Sequence, residues 1–114
     1  MKNSINKVML VGNVGDDPRF NQINQENMVA NFSLATNDHY TDKDGKEVKK
    51  TEWHRVVVWN KKAEVVKKFI KKGDPLYVEG KLQTNTWEDK EGVKRYTTEI
   101  VCDNILFLSS KNNS

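Results

Sequence analysis

The sequence TEWHRVVVWN, residues 51–60, reads as one short β-strand with very different side chains on its two faces. In an extended strand, residues two apart point in the same direction. Trp53, Arg55 and Trp59 therefore share one face, whereas Val56 lies on the other. The valine-rich face is suited to a hydrophobic core. The opposite face carries two large aromatic rings on either side of a guanidinium, and that surface requires a functional explanation.

The length of 114 residues suits a single domain with one hydrophobic core. Hydrophobic residues make up 36% of the chain and charged residues 31%, which leaves little core material and favours completion of apolar surface by self-association. The formal net charge of +3 is mildly basic. Many proteins carry such an excess on a solvated surface, so charge alone does not identify a polyanionic partner.

Cysteine usage and hydropathy indicate a cytoplasmic protein without a membrane partner. Cys102 is the single cysteine and lies in the apolar run IVCDNILFL, which predicts a buried thiol in a reducing compartment. No apolar run approaches the length of a membrane span, and the first ten residues lack the apolar stretch of a signal peptide.

One helix is predicted directly after the opening strand, in the sequence KKAEVVKKFIKKG, residues 61–73. Asn60 is expected as its N-cap, and Gly73 fits a C-terminal stop. The apolar residues that recur at helical spacing are Ala63, Val66, Phe69 and Ile70.

The rest of the chain predicts strands and turns. Residues 6–15 form a strand that bends at Gly12, and residues 28–38 form a strand after a loop with a short edge piece. Residues 38–50 are predicted as a long exposed loop or ribbon, with a hairpin signal at Asp44-Gly45. A strand bent at Gly80 then leads through the turn EDKEGVK to a final strand or pair of strands. The residues of the second strand that share a core face are Ala30, Phe32 and Leu34.

These elements predict an all-β fold with one helix between the third and fourth strands. A small, closed or nearly closed antiparallel barrel removes exposed strand edges in a domain of this size, and the five-stranded oligonucleotide-binding (OB) barrel is the natural candidate. The predicted domain covers residues 1–108, and residues 109–114 form a short polar tail.

Catalysis is not expected. The chain has two histidines and one cysteine, and it lacks the HxxxH, CxxC, Walker-type and GxGxxG spacings. Its paired carboxylates fall in lysine-rich turns, where solvated loop charges are the ordinary interpretation. We therefore predict no catalytic residue, no metal site and no cofactor.

The aromatic residues indicate single-stranded nucleic acid. Every base has a π-face, so stacking on aromatic rings tolerates any sequence while Lys and Arg neutralise phosphates. Any one tryptophan is equally well explained as a core or lid residue, but four aromatics with similar placement favour a binding surface. The predicted stacking residues are Tyr40, Trp53, Trp59 and Trp87, and the predicted phosphate contacts are Lys7, Lys43, Lys49, Arg55, Lys61, Lys72 and Arg95.

Five sequence blocks resemble the bacterial-type single-stranded DNA-binding protein, in that family's order and spacing. They are NKVMLVGNVGDDP, VANFSLAT, TEWHRVVVWNKKAEVV, KKGDPLYVEGKLQT and RYTTEI. The resemblance implies an OB barrel that assembles, usually as a homotetramer although a dimer is possible, and wraps single strands without sequence preference. It also implies a role in replication, recombination and repair, close to the nucleoid. The family's stacking positions fall on the four aromatics named above, and His54 matches a subunit-interface position.

The sequence departs from the family pattern in two places. The segment LQTNTW before Trp87 is neutral where many members are basic, so we expect fewer phosphate contacts there and a shallower dependence of affinity on salt. Bacterial members usually continue into a flexible linker with an acidic tip that recruits replication and repair proteins. The sequence is either a truncated core or a tailless phage, plasmid or organelle-like form; in both cases such recruitment is not expected of the present chain.

Two other functions stay open at this point. A related barrel would bind RNA or act as a primosomal or cold-shock-like accessory, and the 2′-hydroxyl is the group that distinguishes RNA from DNA. A protein-interaction module would instead dock a partner chain on the aromatic face. Site size, cooperativity and the number of subunits do not follow from the sequence.

Overall fold

The computed structural model describes residues 3–108, so the tail predicted at residues 109–114 lies outside the described residues. The described chain contains six strands and one helix. In chain order they are β1 (Val8–Val14), β2 (Arg19–Gln22), β3 (Met28–Thr41), β4 (Glu47–Trp59), α1 (Asn60–Phe69), β5 (Pro75–Glu88) and β6 (Lys94–Phe107).

Five of the strands close into a barrel. The sheet order is β1-β5-β6-β4-β3-β2, and an additional pairing of β1 with β3 joins the two ends of the five-stranded ring. The short β2 extends the edge of β3, at the place where the sequence predicted a loop with an edge piece. The prediction of an antiparallel barrel is wrong for one strand pair, because β4 and β6 pair in parallel through Val56 with Ile100 and Val57 with Val101. The crossover through α1 and β5 reverses the chain twice between these two strands.

The core lies on the predicted face of β4. Val56 and Val58 are fully buried, whereas Trp53 is 62% exposed and Trp59 is 44% exposed. The core face predicted for β3 is also confirmed. Cys102 is buried in the same core, as predicted, and desolvation raises the pKa of its thiol to about 11.

Two glycines permit close approach between strands. A side chain at Gly12 would collide with the Ala35 carbonyl oxygen, and one at Gly80 would collide with the Val101 carbonyl oxygen. The β5–β6 register shifts between Glu79 and Gly80, which confirms the predicted bend. These glycines therefore let the sheet curl tightly enough to close.

The helix differs from the prediction at both ends. Trp59 is the residue before the first turn, and Asn60 lies inside the helix at a φ of 55°. The Asn60 side chain does not cap the helix; its Oδ1 accepts from the Met28 N–H at 3.0 Å and so ties the helix start to β3. The helix ends at Phe69, before the predicted stop at Gly73, and Phe69 is exposed, in edge contact with Phe107.

Two hairpin arms extend from one end of the barrel. The β3–β4 arm and the β5–β6 arm lie at the same end because β4 and β6 run parallel and both arms precede them. Their turns have the same construction. Asp42 Oδ1 accepts from the backbone N–H groups two and four residues later, and so does Asp89 Oδ1, each at 2.9 Å. Gly45 and Gly92 supply the positive φ that each turn requires.

Candidate nucleic-acid interface

Trp53 lies on the outer side of β4 and is supported from beneath. Any side chain at Gly15 would collide with the Trp53 indole, so the ring rests directly on the backbone of that glycine. Trp59 is on the same side of β4, six residues further along, which is about 20 Å of extended strand. Both rings therefore keep exposed surface while their strand is anchored in the core.

Arg55 lies between these tryptophans and is held by a carboxylate. Its Nε donates to Glu99 Oε2 on β6 at 2.9 Å, and Asn85 Nδ2 on β5 donates to Glu99 Oε1 at 2.8 Å. The Arg55 side chain is 57% exposed, whereas the Glu99 side chain is only 14% exposed. One carboxylate thus links three strands on the outer surface of the barrel.

Trp87 continues this surface along the β5–β6 arm. It lies opposite Arg95 in the strand register, on the same side of the sheet as Asn85 and Glu99. Its Nε1 donates to Thr97 Oγ1 at 3.0 Å, which fixes the orientation of the ring. We call this continuous outer surface of β4, β6 and β5 the tryptophan face; its members are Trp53, Arg55, Trp59, Asn85, Trp87, Arg95, Thr97 and Glu99.

Arg95 is also paired with a carboxylate. Its Nε donates to Asp89 Oδ2 at 3.0 Å. Hydrogen bonds from the Val93 N–H, from Arg95 and from the Glu91 N–H lower the pKa of Asp89 below its usual value. The side chain of Asp89 therefore both closes the turn of the arm and orients a guanidinium beside Trp87.

A cleft of about 300 Å³ lies beside Trp53. The segment from Asp16 to Arg19 forms one wall, and the outer surfaces of β3 and β4 form the other, with Ser33, Trp53 and Arg55 among the lining residues. The cleft combines the aromatic rings of Trp53 and Phe32 with hydrogen-bonding groups and charges of both signs. Such a lining suits a polar, planar group better than an aliphatic one.

The β3–β4 arm carries three predicted site residues, which the register separates. Lys49 is on the same side of β4 as Trp53, and Lys43 lies in the turn. Tyr40 pairs with Val48, so it points to the opposite side of the arm from Trp53, with 52% of its surface exposed. The structure therefore does not bring Tyr40 onto the tryptophan face.

Lys61 and Lys72 lie near opposite ends of the site. Lys61 follows Trp59 by two residues and lines a second cleft of about 730 Å³ between α1 and the β2–β3 loop. The backbone N–H of Lys72 donates to Asp17 Oδ1 at 2.9 Å, and Asp17 lines the cleft beside Trp53. Lys61 is thus close to Trp59 in the chain, and the Lys72 backbone contacts a residue of the cleft that Trp53 lines, but neither lysine is on the tryptophan face itself.

Lys7 directly precedes β1, which β5 and β6 separate from β4 on one side of the ring, and it is ion-paired with Glu79. The Lys7 ammonium and the Tyr77 hydroxyl, which donates to Glu79 Oε1 at 2.8 Å, lower the pKa of Glu79; the Glu79 carboxylate raises the pKa of Lys7. Met9 and Val11 lie beside this pair with more than half of their surface exposed. We call these five residues the β1 face.

His54 points away from Trp53, as strand parity predicts. Its Nε2 lies 2.9 Å from Thr36 Oγ1, and the residue is half-buried at the end of the barrel where the β3–β4 arm begins. This contact is internal to the protomer, and the interface role of His54 stays a prediction.

Several residues of this surface were missed by sequence reasoning. Asn85, Thr97 and Glu99 lie on it because the barrel pairs β4 with β6 and β6 with β5, and none has a local sequence signal. Lys90 did have one: DKDG at residues 42–45 and DKEG at residues 89–92 are near-identical turns, and Lys90 occupies the position of Lys43.

Comparison with known proteins identifies the family of the chain that carries this surface. The model of the single-strand binding protein family matches residues 5–108. The chain belongs to the single-strand binding protein family. The resemblance found in the sequence blocks is therefore confirmed, and membership agrees with the prediction that the chain is not an enzyme.

Relatives of this single-strand binding family member are similar along nearly its whole length. It is 43% identical to Single-stranded DNA-binding protein 1 of Chlorobaculum tepidum over 114 residues, which is 99% of this chain and 70% of that protein. It is 48% identical to the Single-stranded DNA-binding protein of Bacteroides thetaiotaomicron over 110 residues, 95% of this chain and 68% of that protein.

A solved structure of the same family has the same architecture. The Plasmodium falciparum SSB complex with ssDNA matches with a TM-score of 0.86 and 35% identity, covering 96% of this chain and 99% of that chain. This likeness confirms the predicted OB barrel. Within residues 3–108 no cluster of three or more metal-ligating side chains occurs, and no helix there is long and apolar enough to cross a membrane.

Proposed function

We propose that this chain binds single-stranded DNA without sequence preference through the tryptophan face. The observation that carries the proposal is that Trp53, Trp59 and Trp87, the chain's three tryptophans, are all partly exposed on one continuous surface with Arg55 at its centre. A folded protein of this size gains by burying tryptophan. Exposure of all three is explained when bases stack on them.

Binding combines stacking with phosphate neutralisation. The tryptophan rings accept any base, because each base offers a π-face, and the terminal nitrogens of Arg55 and Arg95 reach phosphates beside the rings. Lys43 and Lys90 occupy matching positions in the turns of the two arms. Each lysine contacts the single-stranded DNA at the tip of its arm. The two arms extend from the same end of the barrel and together enclose the strand.

The biological role that fits this chemistry is the protection and organisation of single strands during replication, recombination and repair. Family membership supports it, as do relatives named as single-stranded DNA-binding proteins. For this role the protein would act in the cytoplasm, in association with the nucleoid. Recruitment of replication and repair proteins through an acidic tip requires a segment beyond the present sequence.

Assembly through the β1 face completes the proposal, with a homotetramer as the expected state and a dimer as the minimal one. Met9 and Val11 expose apolar surface around an ion pair. On the side of β1 away from β5, the pairing with β3 begins only at Asn13, so among residues 3–108 no strand covers that edge from Val8 to Gly12. An open apolar edge is a template for pairing with another copy.

Fluorescence titration with poly(dT) at several salt concentrations tests the binding proposal. All tryptophan emission comes from the three residues of the proposed surface, so stacking should produce strong, saturable quenching of that emission, which weakens as salt rises. An RNA oligomer of matched sequence is titrated in parallel. If the protein binds the RNA more tightly, RNA rather than DNA is its ligand. The absence of quenching by a folded protein would refute stacking and would favour a protein partner on this face.

A further inference from the structure

An acidic side chain lies at the centre of the proposed DNA surface, where it is not expected. Phosphates repel carboxylates, yet Glu99 is the residue to which both Arg55 and Asn85 donate. With 14% of its side chain exposed, it is much more buried than the guanidinium that it binds. Its place in the surface therefore requires a gain that offsets the repulsion.

The atoms used in these contacts suggest what that gain is. Arg55 binds Glu99 through Nε, the nitrogen nearest its chain, so this contact does not use its terminal nitrogens, and the side chain that carries them is 57% exposed. The guanidinium is planar, so fixing Nε also fixes the plane in which the terminal N–H groups lie. Asn85 holds the second oxygen of Glu99, and Gln83 Nε2 in turn donates to Asn85 Oδ1 at 3.2 Å. The carboxylate is held from two strands.

We propose that Glu99 is a positioning residue for DNA binding, which orients Arg55 between Trp53 and Trp59 and partly compensates its charge. This inference rests on the proposed binding surface. Its consequence is a division of labour: Arg55 supplies directional hydrogen bonds to a phosphate, but it contributes less to counterion release than an unpaired arginine does. Affinity then depends less on salt than the number of basic residues suggests.

Two substitutions of Glu99 separate orientation from charge. In Glu99→Gln the side-chain oxygen still accepts from Arg55 Nε, while the negative charge is lost. We expect tighter binding of a dT oligomer at low salt and a log–log salt slope that is steeper by up to about 0.7, the value for one full phosphate contact on a single strand. In Glu99→Ala the slope steepens similarly, but Arg55 is no longer oriented, so affinity at high salt falls several-fold below that of the unsubstituted chain.

The control for general charge is Glu88→Gln. Glu88 is on the same arm but on the opposite side of β5 from Trp87, so it changes the net charge equally without touching Arg55. We expect its effect on the slope to be smaller than that of Glu99→Gln. Equal effects of the two substitutions would overturn the inference, because Glu99 would then act only through net charge.

Arg55→Ala, alone and combined with each Glu99 substitution, tests whether Glu99 acts through Arg55. In the Arg55→Ala background we expect neither Glu99 substitution to steepen the slope. The same steepening with and without Arg55 would overturn the inference. Thermal unfolding of every variant identifies losses that come from misfolding, and Glu99→Gln supplies the conservative variant if Glu99→Ala does not fold. If Arg55→Ala itself binds DNA like the unsubstituted chain, the proposed role of Arg55 in the binding surface is refuted. That result is distinct from a failure of the inference about Glu99.

Discussion

The tryptophan face and the β1 face both expose large apolar side chains, but their surroundings differ. Around Trp53 and Trp87 are groups with directed hydrogen bonds, such as Arg55 held by Glu99 and Thr97 held by Trp87 Nε1. Around Met9 are the exposed aliphatic Val11, one ion pair between Lys7 and Glu79, and an open strand edge. Aromatic rings among oriented polar groups suit a charged, planar ligand, whereas flexible aliphatic surface beside an unpaired edge suits a second protein surface. Exposure alone does not distinguish the two kinds of site.

The largest effect is expected from a charge on the β1 face. Val11→Glu introduces an unpaired carboxylate into a surface that assembly would bury, at a cost of several kcal/mol. We expect dissociation to smaller species in analytical ultracentrifugation, with the circular dichroism of the barrel unchanged. Val65→Glu, at an exposed position on α1, is the matched control. If both variants keep the mass of the unsubstituted protein, the β1 face is not an interface.

The second prediction concerns stacking on the tryptophan face. Trp53→Ala should weaken binding of single-stranded DNA by about 1–3 kcal/mol, the usual contribution of one stacked base, without changing the oligomeric mass. Trp53→Phe keeps a ring above Gly15 and should retain most of the affinity. Fluorescence anisotropy with a labelled dT oligomer measures both. Unchanged affinity of a folded Trp53→Ala protein would remove this ring from the site.

Substitution of His54 tests whether this residue contributes to assembly or to the stability of the barrel. His54→Tyr places a larger ring at a half-buried position, and we expect it to disturb assembly more than the stability of the barrel. Thr36→Val removes the neighbouring hydroxyl alone; it should lower the free energy of unfolding by about 0.5–1.5 kcal/mol and leave the mass unaltered. Ultracentrifugation and denaturant unfolding measure the two quantities. An intact oligomer in His54→Tyr would contradict the interface role.

A smaller effect is expected at the arm tips. Lys43→Ala and Lys90→Ala should each reduce the steepness of the salt slope by about 0.7, because each removes one phosphate contact from a single strand. The equal turns predict equal effects. A change in only one variant would mean that only one arm meets the strand, and Lys7→Ala, on the β1 face, supplies the comparison with a cation distant from the tryptophans.

The smallest effect is a local response to acid. The pKa of Asp89 is lowered in the folded protein, so its stabilisation of the β5–β6 turn is present above the usual value near 3.8 and is lost as the pH falls through the lower, folded value. In NMR spectra the amide resonances of Glu91 and Val93 should shift with a midpoint below 3.8. A midpoint at or above 3.8 would show that the turn does not hold the carboxylate.

Local patterns predicted much of this molecule. The alternation in β4 separated the valines of the core from Trp53 and Trp59, and the bends at Gly12 and Gly80 indicated a curled sheet. Asn60 was misassigned because its side chain reaches β3 instead of its own helix, and that contact has no local signature. Glu99 was missed for a similar reason: it lies 44 residues from Arg55, and only the parallel pairing of β4 with β6 brings the two together.

The way in which the barrel closes also governs when it can form. Each arm is a local hairpin. In contrast, β1 pairs with its main partner β5 over a long sequence separation, from Val8 to Gly80, and the second edge of β4 is paired only when β6 is present. A chain emerging from the ribosome therefore holds open edges on β4 and β5 until its last strand is made. Folding should be limited by the joining of distant segments, on the millisecond-to-second scale of barrels rather than the microseconds of helical bundles.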